Sequence, residues 1–235
     1  WGDGYITTLA PNAYNRNIKW ETTETFNVGL DFGIFGGRIN GNVDAYYRKT
    51  SDLLNNITTP MGNNFSNTVI SNVGNMKNMG VEFNLNFIPI EKQDMRWTIN
   101  VNGTYQKTEI TKLTNDDSTY LGVQTGANMG GTGGYTSLHR VGYAPYTYYL
   151  YQQAYDENGK AIQNVLVDRD GDGSITEADR YVTGKSITPK FFFGLSSQFT
   201  YKKWDFGFNA HGSFGGYALN RIAMNNSSAF SDDYT

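Results

Sequence analysis

Phe26, Val28, Leu30, Phe32 and Ile34 alternate with Thr25, Asn27, Gly29, Asp31 and Gly33. Successive side chains of a β-strand point to opposite faces, so this run sets five apolar groups against five small or polar ones. The pattern returns along the chain. Ile39, Gly41, Val43, Ala45 and Tyr47 oppose Asn40, Asn42, Asp44, Tyr46 and Arg48. Val81, Phe83, Leu85 and Phe87 oppose Glu82, Asn84 and Asn86, and Trp97, Ile99, Val101 and Tyr105 oppose Thr98, Asn100, Asn102 and Thr104. Phe193, Leu195, Phe199 and Tyr201 then oppose Gly194, Ser196, Gln198 and Thr200. Finally, Trp204, Phe206, Phe208, Ala210 and Phe214 oppose Asp205, Asn209, His211 and Ser213. A half-buried sheet in a soluble protein also alternates. Here the apolar set is large and often aromatic, and the opposite set is unusually polar, which fits lipid on one side and water on the other.

The connections sharpen this. Gly36-Gly37 predicts a tight hairpin turn. The link from Ile88 to Met95 is short and holds Pro89, which cannot extend a ladder. Lys202-Lys203 makes a third short turn. Between these lie a long polar segment, from about Ser51 to Met79, and a very long one, from about Lys107 to Lys190. Outer-membrane barrels show that asymmetry, with short periplasmic turns and long outer loops, so the Phe26 strand descends and the Ile39 strand ascends. Trp97, Tyr201 and Trp204 fall beside the short turns, and Tyr47 and Tyr105 fall at the opposite ends, where aromatic girdles belong. Each apolar face covers about nine to eleven residues, the length a tilted strand needs to cross hydrocarbon. A soluble β-sandwich or solenoid predicts the alternation alone. The expected fold is therefore all-β: an antiparallel transmembrane β-barrel segment of about six membrane strands with long extracellular loops. Closure needs about eight strands at least, so the rest of the wall must lie outside this sequence.

Composition agrees. The hydrophobic fraction is 38%, low for a thick interior, whereas 17 Tyr, 14 Phe and 27 Gly suit a wall of strands. A net charge of −3 with no basic stripe argues against nucleic acid as a partner. Cysteine is absent, which excludes disulfides and thiolate metal sites. No run of about 18 apolar residues marks a membrane helix. The sequence begins at Trp1 with neither an initiator Met nor a signal peptide and is expected to be a piece of a longer protein.

One local motif is sharp. In the segment 168–179, Asp168, Asp170 and Asp172 stand at positions one, three and five of a calcium loop, with Gly173 at six. Ser174 at seven offers a carbonyl, Thr176 at nine acts through a water, and Asp179 stands at twelve, where a helical calcium hand has a bidentate Glu. A hard cation needs about seven oxygens, and alternating carboxylates supply charge without crowding. The flanks Asn164-Val-Leu-Val and Tyr181-Val-Thr-Gly are not helical, so a static, structural Ca2+ site is expected rather than a switch. The plainer alternative is an acidic turn that binds nothing.

Other signals are weaker. Gly184-Lys185-Ser186 lacks the upstream glycine of a phosphate loop, and Gly126, Gly130, Gly131, Gly133 and Gly134 lack a dinucleotide-binding context. His139 and His211 belong to no triad or metal pair, with His211 expected to line the lumen. Loop acids such as Asp116, Asp117 and Asp156 form no recognisable catalytic pair, so no enzyme activity is expected. Tyr143, Tyr146, Tyr148, Tyr149, Tyr151 and Tyr155 form a dense tract. Such rings stack on sugars or peptide side chains, making Tyr143 to Tyr151 substrate-binding candidates, although ordinary packing of an outer hairpin explains them equally well.

Several segments resemble the SusC/RagA family of TonB-dependent outer-membrane transporters. They are Asn17-Ile-Lys-Trp-Glu21 leading into Phe26–Phe32, Asp44-Ala-Tyr-Tyr-Arg-Lys-Thr-Ser-Asp-Leu-Leu54, and Asn72-Val-Gly-Asn-Met-Lys-Asn-Met-Gly-Val-Glu82. The stretch from Tyr143 to Arg180, with Thr188-Pro-Lys-Phe and Gly194-Leu, is similar to the family's calcium-loop region. The resemblance implies a C-terminal part of a barrel of about 22 strands with an N-terminal plug, energised by TonB. It also implies a SusD-like surface lipoprotein as lid, and import of oligosaccharides or, in some members, peptides across the outer membrane. Residues 1–235 would be partial barrel domain, with 108–189 a long extracellular loop region. The competing classes are a calcium-dependent surface adhesin or binding module without transport, and a secreted carbohydrate-active enzyme.

Overall fold

The computed structural model describes residues 13–58, 66, 68–113, 121–128 and 134–222. Its main body is one antiparallel sheet of six strands: β1 (Thr22–Ile34), β2 (Ile39–Thr58), β3 (Thr68–Lys92), β4 (Met95–Lys112), β11 (Phe191–Tyr201) and β12 (Trp204–Phe214), in that spatial order. The chain between β4 and β11 holds a second sheet. This contains β5 (Val123–Asn128), β6 (Tyr135–His139), β7 (Thr147–Leu150) and β10 (Tyr181–Ser186), ordered β10-β7-β6-β5. A separate hairpin joins β8 (Gln153–Tyr155) to β9 (Ala161–Leu166).

The pairing registers align the six apolar faces. Leu30 lies opposite Val43, Val43 opposite Phe83, Phe83 opposite Gly103, Gly103 opposite Phe193 and Phe193 opposite Gly212. A slip of one residue anywhere would send apolar side chains to the polar face. Large rings sit against glycines within this surface: a Cβ on Gly103 would lie 2.5 Å from the Phe83 ring, and one on Gly212 would meet Phe193. Nothing of the described chain covers this face. Phe26 is 69% exposed, Leu30 67% and Phe208 57%. The buried apolar residues, Val73, Ile110, Leu113, Leu138, Tyr148 and Tyr149, lie instead in or beside the second sheet and the upper strand ends. A sheet with its apolar face bare and its core elsewhere is the wall of a lipid-facing barrel. The wall is open, with β1 and β12 as its edges.

The short turns fall where expected. Phe35, Gly36 and Gly37 take left-handed backbone between β1 and β2, Gln93 and Asp94 separate β3 from β4, and Lys202 turns β11 into β12. Two boundaries differ. The described parts of the polar stretch from Ser51 to Met79 are strand: β2 continues to Thr58 and β3 begins at Thr68, so these strands rise about ten residues beyond the apolar band. Register shifts at Thr50, Leu53 and Leu54, with Asp52 at φ 60, break the strict alternation there. Likewise Pro89 lies inside β3, not in a loop. It sits at the bulge between Phe87 and Ile90, past the end of β2, where no donor is required on that side.

Candidate functional site

The region between β4 and β11, expected as a loop over 108–189, is a small folded body on the rim of the wall. β4 runs on to Lys112, and Ile110 exchanges backbone hydrogen bonds with the 142–143 turn: its N–H donates to the Tyr143 carbonyl at 2.9 Å and its carbonyl accepts from Gly142 at 2.8 Å. Pairing of β4 with β11 ends at Tyr105 and Phe191. Between these two attachments lies a cavity of about 280 Å³ bordered by Gln106, Thr108, Glu109, Tyr143, Lys190 and Tyr217.

Within this body, Asp168, Asp170 and Asp172 converge. Their carboxylates each place an oxygen within 4.8 Å of the others. The backbone shapes the cluster through short side-chain turns. Asp168 accepts from the N–H groups of Gly171 (2.7 Å) and Gly173 (2.8 Å), Asp170 from Asp172 (3.2 Å) and Asp172 from Ser174 (2.7 Å). Gly171 and Gly173, at φ 77 and 85, permit the reversal. Ser174 and Thr176 follow on the same loop, where the Thr176 hydroxyl accepts from Ala178 N–H and caps a 3-10 turn, Glu177–Asp179.

Asp179 does not join the three. It is fully buried, and its carboxylate accepts from Arg169 N–H at 2.6 Å and Thr176 N–H at 2.7 Å, closing the loop from within. Backbone donors from Thr176 and Arg169 hold this carboxyl below the usual carboxylate range. These contacts tie the loop ends together; of the six expected ligands, the carboxylates of Asp168, Asp170 and Asp172 converge, and Ser174 and Thr176 lie on the same loop.

The tyrosine tract divides. Tyr148 and Tyr149 are buried in β7 and cannot serve as open ring faces. The Tyr148 hydroxyl donates to the Tyr217 carbonyl at 3.0 Å, and the Tyr149 hydroxyl to Glu177 at 3.4 Å. Tyr146 meets His139 edge-on at 4.6 Å, while Tyr151 lies 5.9 Å from the Arg180 guanidinium. Tyr143, beside the rim cavity, Tyr146 and Tyr155 remain exposed. His211 is exposed on the polar face of β12, opposite Gly194. Gly126 takes φ 88 against Ser137; Gly130, Gly131, Gly133, Asp116 and Asp117 lie outside the described residues.

This sheet and its rim body match the family model for the TonB dependent receptor-like β-barrel over residues 1–235. The chain belongs to that family. It is 41% identical over 239 residues to TonB-dependent receptor SusC of Bacteroides thetaiotaomicron, covering 99% of this chain and 24% of the relative. It is 31% identical to TonB-dependent receptor P3 of Formosa agariphila, covering 88% and 22%. Among solved structures, the RagAB peptide transporter superposes with a TM-score of 0.66 at 25% identity, covering 86% of this chain and 22% of that one. The chain thus spans about a quarter of the length of the curated relatives it matches.

Two residues of this receptor wall carry more than their sequence context signalled. Asn72 stitches the segment before β1 to the tall hairpin: it accepts from Lys19 N–H at 2.8 Å and donates to the Lys19 and Asp52 carbonyls at 2.9 and 2.7 Å. Arg180, next to Asp179, is buried and binds carbonyls of both Tyr135 and Tyr149. Both partners are backbone atoms far away in sequence, so no spacing rule announces them.

Proposed function

We propose that this chain forms part of the barrel wall of an outer-membrane transporter that imports nutrients under TonB control. The supporting observation is the shared register that aligns the apolar faces of all six strands through the middle of the sheet, with polar faces aligned behind them. One side suits hydrocarbon and the other a water-filled lumen. Likeness to TonB-dependent receptors supports energy coupling through a part of the protein beyond these residues. Oligosaccharides are the favoured cargo and peptides the alternative, the latter favoured by likeness to the RagAB peptide transporter. A SusD-like lipoprotein is the expected lid, meeting the rim body that carries the aspartate cluster. Ca2+ in that cluster, held by Asp168, Asp170 and Asp172 with carbonyl and water oxygens, would stiffen the rim without taking part in transport.

The test is genetic. Deletion of the full gene in its bacterium abolishes growth on one class of oligosaccharide as sole carbon source. A plasmid copy restores growth only in cells with functional TonB. Unimpaired growth of the deletion strain on every oligosaccharide, with lost growth on peptides, would move the cargo to peptides. A full-length protein that is soluble and monomeric without detergent would remove the barrel reading altogether.

A further inference from the structure

Among the described residues, the polar face of the wall holds a hollow that spans β1 to β4. Its volume is about 550 Å³, and it is lined by Asp44, Tyr46, Arg48, Asn78, Glu82 and Gln106, with Thr25 and Asn27 at one end. The register explains it. Gly80 stands opposite Tyr46 on one side and Gln106 on the other, so a side chain is missing at the centre of the polar surface. The Tyr46 ring uses that gap: a Cβ on residue 80 would lie 2.7 Å from its hydroxyl and 2.8 Å from its Cε1. Gly29 does the same for Asp44, whose carboxylate occupies the space a Cβ would take. Two glycines, on the strands either side of β2, therefore let a tyrosine and an aspartate of β2 lie across the wall. The Arg48 guanidinium sits 5.9 Å from the Tyr46 ring centre.

The hydrogen-bonding sense of the hollow is lopsided. The side-chain NH2 of Asn78 donates to the Thr108 hydroxyl at 2.5 Å, that of Gln106 to the Pro189 carbonyl at 3.3 Å, and that of Asn42 to Asp44 at 2.5 Å. Each of these amides keeps its oxygen and one further N–H, and the carboxylates of Asp44 and Glu82 add acceptors without donors. Asp44 and Glu82 lie directly opposite one another, a pairing of like charges that disfavours an empty wall. Donors come from Arg48, the Asn27 amide and the hydroxyls of Tyr46 and Thr25, and the two carboxylates tip the hollow toward acceptance. A ligand that suits this surface brings many donors and a flat face. Sugars do so, because adjacent hydroxyls can donate together to one carboxylate and the ring's C–H face stacks on an aromatic side chain. A neutral peptide offers one backbone N–H per residue, fewer donors than the run of hydroxyls on a sugar ring.

We propose that the hollow around Gly80 is a sugar-binding subsite on the lumen wall, with Tyr46 as the stacking platform and Asp44 and Glu82 as acceptors for ligand hydroxyls. The inference rests on the importer reading and specifies a place on the path of the cargo. Its test uses the full-length receptor with its lipoprotein partner in detergent, titrated calorimetrically with neutral gluco-, manno- and xylo-hexaoses and a neutral hexapeptide. Tyr46→Ala and Glu82→Gln are expected to weaken binding of the recognised hexaose by about tenfold. Tyr46→Phe keeps the ring and most of the affinity, which separates stacking from misfolding. Asn86→Ala, further down the same face, leaves affinity unchanged. A parent that binds a hexaose with all four variants unaltered overturns the subsite and leaves the importer reading standing. A parent that binds only the peptide overturns the subsite and moves the cargo to peptides, whereas one that binds neither hexaose nor peptide overturns the importer reading as well.

Discussion

The guanidinium of Arg180 donates to the backbone carbonyl of Tyr149 at 2.8 Å and lies 4.0 Å from the centre of the same tyrosine's ring. A further N–H of that group reaches the carbonyl of Tyr135, and Glu177 stands 3.4 Å away. Arg180 thus fastens β6, β7 and the end of the aspartate loop with a single buried side chain. Burying a guanidinium is unfavourable unless its donors are used, and its Nε has no partner among the described residues.

Arg180→Ala is expected to destabilise the rim body by about 2–4 kcal/mol, since two buried carbonyls lose their donor. Hydrogen exchange in the full receptor should then speed up across β5 to β10, while β1 to β4 stay protected. Arg180→Lys should be intermediate, because an ammonium cannot hold both carbonyls in one plane. Equal exchange in parent and Arg180→Ala would show that the fastening is redundant.

A second expectation concerns pH. Burial lowers the His139 pKa from its ordinary value, and Nε2 lacks a partner among the described residues. The folded imidazole therefore stays neutral where the unfolded one already takes a proton. Stability from this group is complete above about pH 6.5 and is lost as pH falls from there toward the lower folded value. Exchange protection of β6, corrected for intrinsic rates, should drop across that interval in the parent. His139→Phe, which keeps the edge contact with Tyr146, should flatten the profile. An unchanged profile in that variant would assign the pH effect elsewhere.

Calcium gives a third. At a concentration tenfold above its Kd, the ion would stabilise the rim body by about 1.4 kcal/mol. Thermal unfolding of the loop region should therefore shift upward in the parent on adding calcium. Asp170→Ala combined with Asp172→Ala should remove that shift and have little effect in chelator. Identical parent curves in calcium and chelator would eliminate the metal site.

Much of the wall is legible in sequence because lipid enforces a period of two on every strand that crosses it. The partners Leu30, Val43, Phe83 and Phe193 can be read before any pairing is known. That constraint stops at the bilayer surface. Above it, Ser51 to Asn56 and Ser71 to Asn78 scatter Leu53, Leu54, Val73 and Met76 among polar residues without a period of two, so a continuing strand reads as a loop. The aspartate spacing revealed the loop, but not that Asp179 would turn to its backbone. Position twelve holds a side chain one methylene shorter than Glu, and nearby N–H groups lie within its reach. The hollow was hidden for another reason. Tyr46, Gly80 and Gln106 come from three strands, and only the register brings them together.

The assignment of faces can be tested with two adjacent residues. Leu195 lies opposite Val101 and Ala210, in the middle of the apolar rows; Ser196 lies opposite Asn100 and Asn209. Arginine at a lipid-facing midplane position of a barrel costs about 2–4 kcal/mol, whereas a lumen-facing one is solvated. Leu195→Arg should therefore lower the stability of the full receptor in lipid vesicles by that amount, read from the loss of the compact band in unheated gels across a denaturant series. Ser196→Arg should stay within about 1 kcal/mol of the parent, as substitutions without burial do. Both variants carry the same new charge on the same strand, so the change in net charge cancels in the comparison, and the difference in strand propensity between Leu and Ser is small beside the cost of a lipid-facing charge. The ratio reports only which way each side chain points. Greater damage from Ser196→Arg than from Leu195→Arg would mean that the aromatic face looks into the lumen, and the lipid-facing wall would have to be abandoned.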